Sequence, residues 1–152
     1  MEITGEHNRN VRDKSPLMYA MQCSKFKVVN YLLGRGADST ARMAGGPRSS
    51  VLGLCVSFAF CDAKNHDRWI KLAIKLIDLG ADPSSALWTA LHGFGGIVDR
   101  DDLIRLLLDR GADPDQLVGN SGDAVRELVA VNSRLYTDKV LKLFTEKNDR
   151  AD

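Results

Sequence analysis

Aromatic rings, histidines, cysteines and long apolar runs are all scarce in this chain, and each shortage removes a class of protein. No apolar stretch approaches the roughly 18 residues that a bilayer-spanning helix requires, so no membrane contact is expected. The opening MEITGEHNRNVRDK is polar and does not read as a secretory signal. Cysteine occurs three times in 152 residues, at Cys23, Cys55 and Cys61, too few and too odd a set for a disulfide framework. Lying in apolar segments, they read as free thiols of a reducing compartment, which places the chain inside the cell, in cytoplasm or nucleus. With a net charge of +1, and a modest basic surplus over residues 1–50 set against an acidic one over 51–152, there is no strong field for nucleic acid. Alternating strand-like patterns are nearly absent.

What is present is helix punctuation. In the stretch SPLMYAMQCSKFKVVNYLLGRGAD, residues 15–38, Ser15 is an N-cap type and Pro16 stands at the first helical position, where its missing N–H costs nothing. Leu17, Ala20 and Met21 then recur at helical spacing. Ser24 and Lys25 break this helix. Phe26, Val28, Val29, Leu32 and Leu33 form the apolar stripe of a second one, which Gly36 closes in a left-handed conformation. Isolated helices this short are marginal in water, so the pair must pack on itself and on neighbours.

The Gly-Ala-Asp that ends this stretch recurs at 80–82 and 111–113, at uneven steps. Before Gly80, the residues Ile70, Leu72, Ala73, Leu76 and Ile77 give a second apolar stripe, and Leu103, Ile104, Leu106, Leu107 and Leu108 before Gly111 give a third. Ser50, Thr89 and Asp123 take the cap positions of the later first helices, although Ser85-Ala86-Leu87 suits the start of the third equally well. Phe58–Asp67 is extra sequence that either prolongs a helix or forms a loop. Asp138 opens a last helix with Val140, Leu141, Leu143 and Phe144, and residues 148–152 are expected to fray.

Ser-Pro-Leu-Met-Tyr-Ala followed by V-V-x-x-L-L-x-x-G-A-D resembles the ankyrin repeat, whose pattern T-P-L-H-x-A…V-V-x-L-L-L-x-x-G-A-D runs over about 33 residues. The resemblance implies an all-α solenoid of stacked helix-turn-helix pairs joined by finger turns. Repeats are expected over 15–38, 50–82, 85–113 and 123–146, in a single domain with 1–14 as leader and 147–152 as tail. It also implies recognition of another protein without catalysis and without a cofactor, by a chain acting as a monomer or as part of a longer repeat tract. In that family the finger tips and the exposed side of each first helix make the contacts. Carried over by position, these are Lys14, Gln22 and Cys23, then Arg42, Arg48, Ser49, Ser57 and Phe58, then Trp88, and finally Asn120 and Ala130. Aromatic and arginine side chains make the best anchors, which favours Arg42, Arg48, Phe58 and Trp88, although Phe58 and Trp88 serve equally well as core. Trp69 reads as structural.

Chemistry has few candidates. His7 lies in the polar leader, His92 stands at the family's T-P-L-H position, where it makes structural hydrogen bonds, and no nucleophile–base–orienter set is visible. Cys55, Cys61 and His66 suggest an alternative, a zinc-binding or redox-sensing insert. Their spacing is loose for structural zinc, and a fourth ligand would have to come from Asp62 or Asp67. The basic residues Arg9, Arg12, Lys14, Arg42 and Arg48 are not interleaved with aromatics and read as a solvated rim.

Overall fold

The computed structural model describes residues 15–41, 50–91, 101–118 and 122–150. Among these, helices come in pairs: α1 (Pro16–Gln22) with α2 (Phe26–Gly34), and α3 (Val51–Cys61) with α4 (His66–Asp78). They continue as α5 (Ser84–Leu91) with α6 (Asp101–Asp109) and α7 (Val125–Val131) with α8 (Asp138–Arg150). Each pair packs on the next, through α1 on α3, α3 on α5, and α6 on α8. The architecture is an all-α repeat solenoid.

The caps explain where the helices start. Ser15 Oγ accepts the Met18 N–H at 3.2 Å, and Ser50 Oγ accepts the Gly53 N–H at 2.8 Å. Both are N-cap bonds to free first-turn donors. Between α1 and α2 the chain reverses at Ser24, a non-glycine residue at φ 54°, where Ser24 N–H bonds Met21 O and Lys25 N–H bonds Ala20 O. The same pair of bonds follows α2, α4 and α6. Gly36, Gly80 and Gly111 take φ values of 89°, 109° and 101°, and each donates to the carbonyl three residues back. Ala37, Ala81 and Ala112 then donate to Leu32, Leu76 and Leu107, each at 2.9 Å. These are three Schellman closures, whose left-handed position glycine fills without steric cost.

The core runs along the stack. Helix α3 is apolar on nearly all sides, with Val51, Leu52, Cys55, Val56 and Ala59 buried, as suits a helix enclosed by neighbours. Helices α4 and α6 are amphipathic, burying Trp69, Leu72, Ala73 and Leu76 in one and Leu103, Ile104, Leu107 and Leu108 in the other. Trp69 is fully buried, with Phe26 of α2 and Phe58 of α3 at ring-centroid distances of 4.6 and 5.0 Å. One indole thus joins the first two pairs. Its Nε1–H donates to Asp62 Oδ2 at 3.0 Å.

Three sequence expectations change. Thr89 does not open a helix: it is 1% exposed in the middle of α5, which begins at Ser84 because Asp82 Oδ1 accepts the Ser84 N–H at 2.9 Å. The alternative start around Ser85 is the one the chain uses. Asp123 is not a cap either, since it belongs to the two-residue strand β2 (Asp123–Ala124), antiparallel to β1 (Leu117–Val118). Helix α7 starts at Val125, with Glu127 Oε2 accepting the Ala124 N–H at 3.3 Å. At the far end α8 continues to Arg150, past the repeat end expected at residue 146. The extra sequence at Phe58–Asp67 lengthens α3 to 11 residues and then forms a 3₁₀ turn, Ala63–Asn65, leading into α4.

Candidate partner-binding surface

The finger turns are positioned by one polar device used three times. After each Schellman closure, the aspartate of Gly-Ala-Asp turns back on its own backbone. Asp38 Oδ1 accepts from Thr40 N–H, Asp82 Oδ1 from Ser84 N–H and Asp113 Oδ1 from Asp115 N–H, each at 2.9 Å. Such Asx turns give a loop start a fixed direction. Asp38 also accepts the Thr40 hydroxyl at 2.6 Å, and the Thr40 bonds hold its carboxyl below the usual range.

Neighbouring turns are tied to one another. Ser39 Oγ donates to Leu79 O at 3.4 Å, and Ser50 Oγ lies 3.2 Å from Ser85 Oγ. Ser84 Oγ accepts Asp113 N–H at 2.8 Å, and Gln116 Nε2 donates to Ser84 O at 2.7 Å. Between the first two turns lies a cleft of about 260 Å³, whose rim includes Thr40, Asp82 and Ser85. On the last pair, Arg126 Nε donates to Asp115 Oδ1 at 2.9 Å, its Nη1 donates to Phe144 O, and the buried Tyr136 hydroxyl donates to Leu91 O at 3.0 Å. Burial raises the phenol's pKa, so it stays a donor.

The anticipated contact residues are distributed unevenly. Gln22 and Cys23 are exposed at the end of α1. Trp88 is half-buried against the core, and Phe58 is half-buried and packs tilted against Trp69, so each is only partly accessible. Ser57 is 7% exposed inside the mostly apolar α3, which withdraws it from a contact surface. Ala130 is exposed on α7. Lys14, Arg42, Arg48, Ser49 and Asn120 lie outside the described residues, as do Arg9, Arg12, His7 and His92. The cleft that brings the Asp82 turn beside Thr40 was not anticipated from the sequence. The signal for the turn was present in the third residue of each Gly-Ala-Asp.

Cys55, Cys61 and His66 do not converge. The Cys55 thiol is buried and donates to Trp69 O at 3.1 Å, and burial raises its pKa, which disfavours the thiolate a metal needs. Cys61 is exposed, while His66 Nδ1 donates to Ala59 O at 3.0 Å with Nε2 3.4 Å from Asp102 Oδ2. Among the described residues no three metal-ligating side chains come together.

Helix pairs closed by one repeated turn and stacked in line define the class: a helical repeat protein built to present its turns. Residues 12–44 match the family model described as Ankyrin repeat, in line with the repeated helix pairs and turns. No curated protein matches the chain. Ankyrin repeats are in general protein–protein interaction modules and typically lack catalytic activity. No helix among the described residues is long and apolar enough to cross a membrane.

Proposed function

We propose that this chain is a non-enzymatic recognition module that holds a partner protein against its finger turns and the exposed ends of its first helices. The observation that carries the reading is the threefold Gly-Ala-Asp turn. Three equivalent Schellman closures and three equivalent Asx turns, tied by Ser39, Ser50, Ser84 and Ser85, present a row of loops at fixed orientation. Preorganised loops lose less entropy on binding than free ones, so their side chains can vary without loss of rigidity.

The contact set we assign is Lys14, Gln22, Arg42, Arg48, Phe58, Trp88 and Asn120, with Thr40 and Asp82 added from the cleft between turns one and two. Arg42 and Arg48 supply the charged anchors. Division into four repeats follows the four helix pairs, with the boundaries falling at the turns.

The test is affinity capture from a native lysate with the wild-type chain and with a Gln22→Ala/Arg42→Ala/Arg48→Ala variant, each matched for melting temperature. Trp88 is left intact because it packs on the core. Loss of specific prey from the variant supports the surface. Full retention of every prey protein removes it.

A further inference from the structure

A second surface lies on the side of the stack built from second helices. Between α2 and α4 runs a groove of about 280 Å³. Its floor includes Phe26 and Leu72, and its walls carry Asn30 from α2 with Arg68, Lys71 and Lys75 from α4. The three cations stand at i, i+3 and i+7, so they share one helix face and span about 10 Å at 1.5 Å per residue. No carboxylate lines the groove. Of the acids on α4, Asp78 is engaged with Arg110 at 2.7 Å on the next pair, and Asp67 stands exposed at the helix start without an ion pair among the described residues.

Two of the cations are held in place. The Arg68 guanidinium lies 5.5 Å from the Phe26 ring centroid, and Lys75 Nζ donates to Asn30 Oδ1 at 3.1 Å across the groove. Lys71 between them makes no hydrogen bond or ion pair among the described residues. Like charges on adjacent turns repel, which costs stability in the free protein. An anionic ligand removes that cost. The row is short, and three phosphate contacts would give weak nucleic-acid binding with a small salt slope. Phe26 is the one aromatic ring lining the groove, and a single ring makes no platform for successive bases.

We propose that this groove docks an acidic segment of a partner protein. Its carboxylates would meet Arg68, Lys71 and Lys75, and an apolar side chain would lie over the Phe26 and Leu72 floor. The site is lined by α2 and α4 and shares no residue with the surface assigned above, so it stands or falls independently of it.

The test is fluorescence anisotropy on the full chain with a labelled peptide of about twelve residues, carrying glutamate at alternate positions and a central leucine, long enough to span the groove at about 3.3 Å per residue. Lys71→Glu is expected to weaken binding about tenfold, while Lys139→Glu at an exposed position of α8, an equal change in net charge, leaves it within about twofold. Binding of the wild type should also weaken with added salt. Should Lys71→Glu lower the melting temperature, Lys71→Ala replaces it, with a loss of about threefold expected. Equal weakening by Lys71→Glu and Lys139→Glu would overturn the proposal. So would no wild-type binding at about millimolar peptide, or tighter binding to anionic vesicles or polyuridylate than to the peptide.

Discussion

Removing the indole of Trp69 should loosen the first helix pair from the rest of the stack. The ring is fully buried and touches Phe26 on α2 and Phe58 on α3. A buried Trp→Ala change costs about 3–5 kcal/mol, which includes the aromatic contacts and the cavity left behind. For a chain of this length each kcal/mol lowers Tm by about 2–4 °C, so Trp69→Ala should melt roughly 6–20 °C lower. Trp69→Phe separates the two contributions. It keeps a ring between Phe26 and Phe58 but loses the Nε1–H bond to Asp62, and it should cost about 1–2 kcal/mol. The Asp62 carboxylate is partly exposed and recovers water, so the loss stays small. Urea unfolding followed by far-UV circular dichroism measures both variants. Fluorescence of the remaining Trp88 reports the third pair separately. In Trp69→Ala the Trp88 transition should lag the helical one, because the first pair has lost its anchor to the second. A Trp69→Ala protein within about 1 kcal/mol of wild type would refute the reasoning. A Trp69→Phe protein as unstable as Trp69→Ala would shift the cause from the ring to the hydrogen bond.

Two further outcomes follow from the turns and the carboxylates. Gly80→Ala meets no atom within 4 Å but forces a Cβ onto φ 109°, so a loss of about 1–2 kcal/mol is expected by chemical denaturation, with the far-UV spectrum unchanged. Asp38 and Asp62 are both held below the ordinary carboxylate pKa, Asp38 by Thr40 and Asp62 chiefly by Asn65 and then by the Trp69 N–H. A depressed folded-state pKa stabilises above the unfolded value and is lost as pH falls through the folded one. Tm should therefore hold from neutral pH down to about 5 and drop below about 4, and Asp62→Asn should flatten part of that drop.

Much of the fold was legible because small helices advertise their ends. Ser15 and Ser50 cap as their residue types demand, Gly36, Gly80 and Gly111 sit where only a left-handed residue closes a helix, and the apolar stripes of α4 and α6 face inward. Thr89 misled because a Thr-Ala-Leu-His string looks like a helix start, whereas the Asp82 side chain had already started the helix one turn earlier. Asp123 misled because a backbone pair, Val118 with Asp123, took it into a ladder that two residues of sequence cannot announce. Ser57 was assigned to a surface by its position in the family pattern. The composition of α3, apolar at almost every step, carried the contrary signal. The cationic row on α4 was visible as spacing, yet its setting beside Phe26 and Asn30 depends on how α2 lies alongside, which no local pattern encodes.

Helix α3 has a consequence for how such a tract can grow or shrink. A rod this apolar is a poor end piece: a chain cut between Leu79 and Ser84 would remove α5 from it, bare apolar surface of α3 to water and invite self-association. The second pair therefore acts as a keystone that must be flanked, and repeats are added or removed at least cost beyond it.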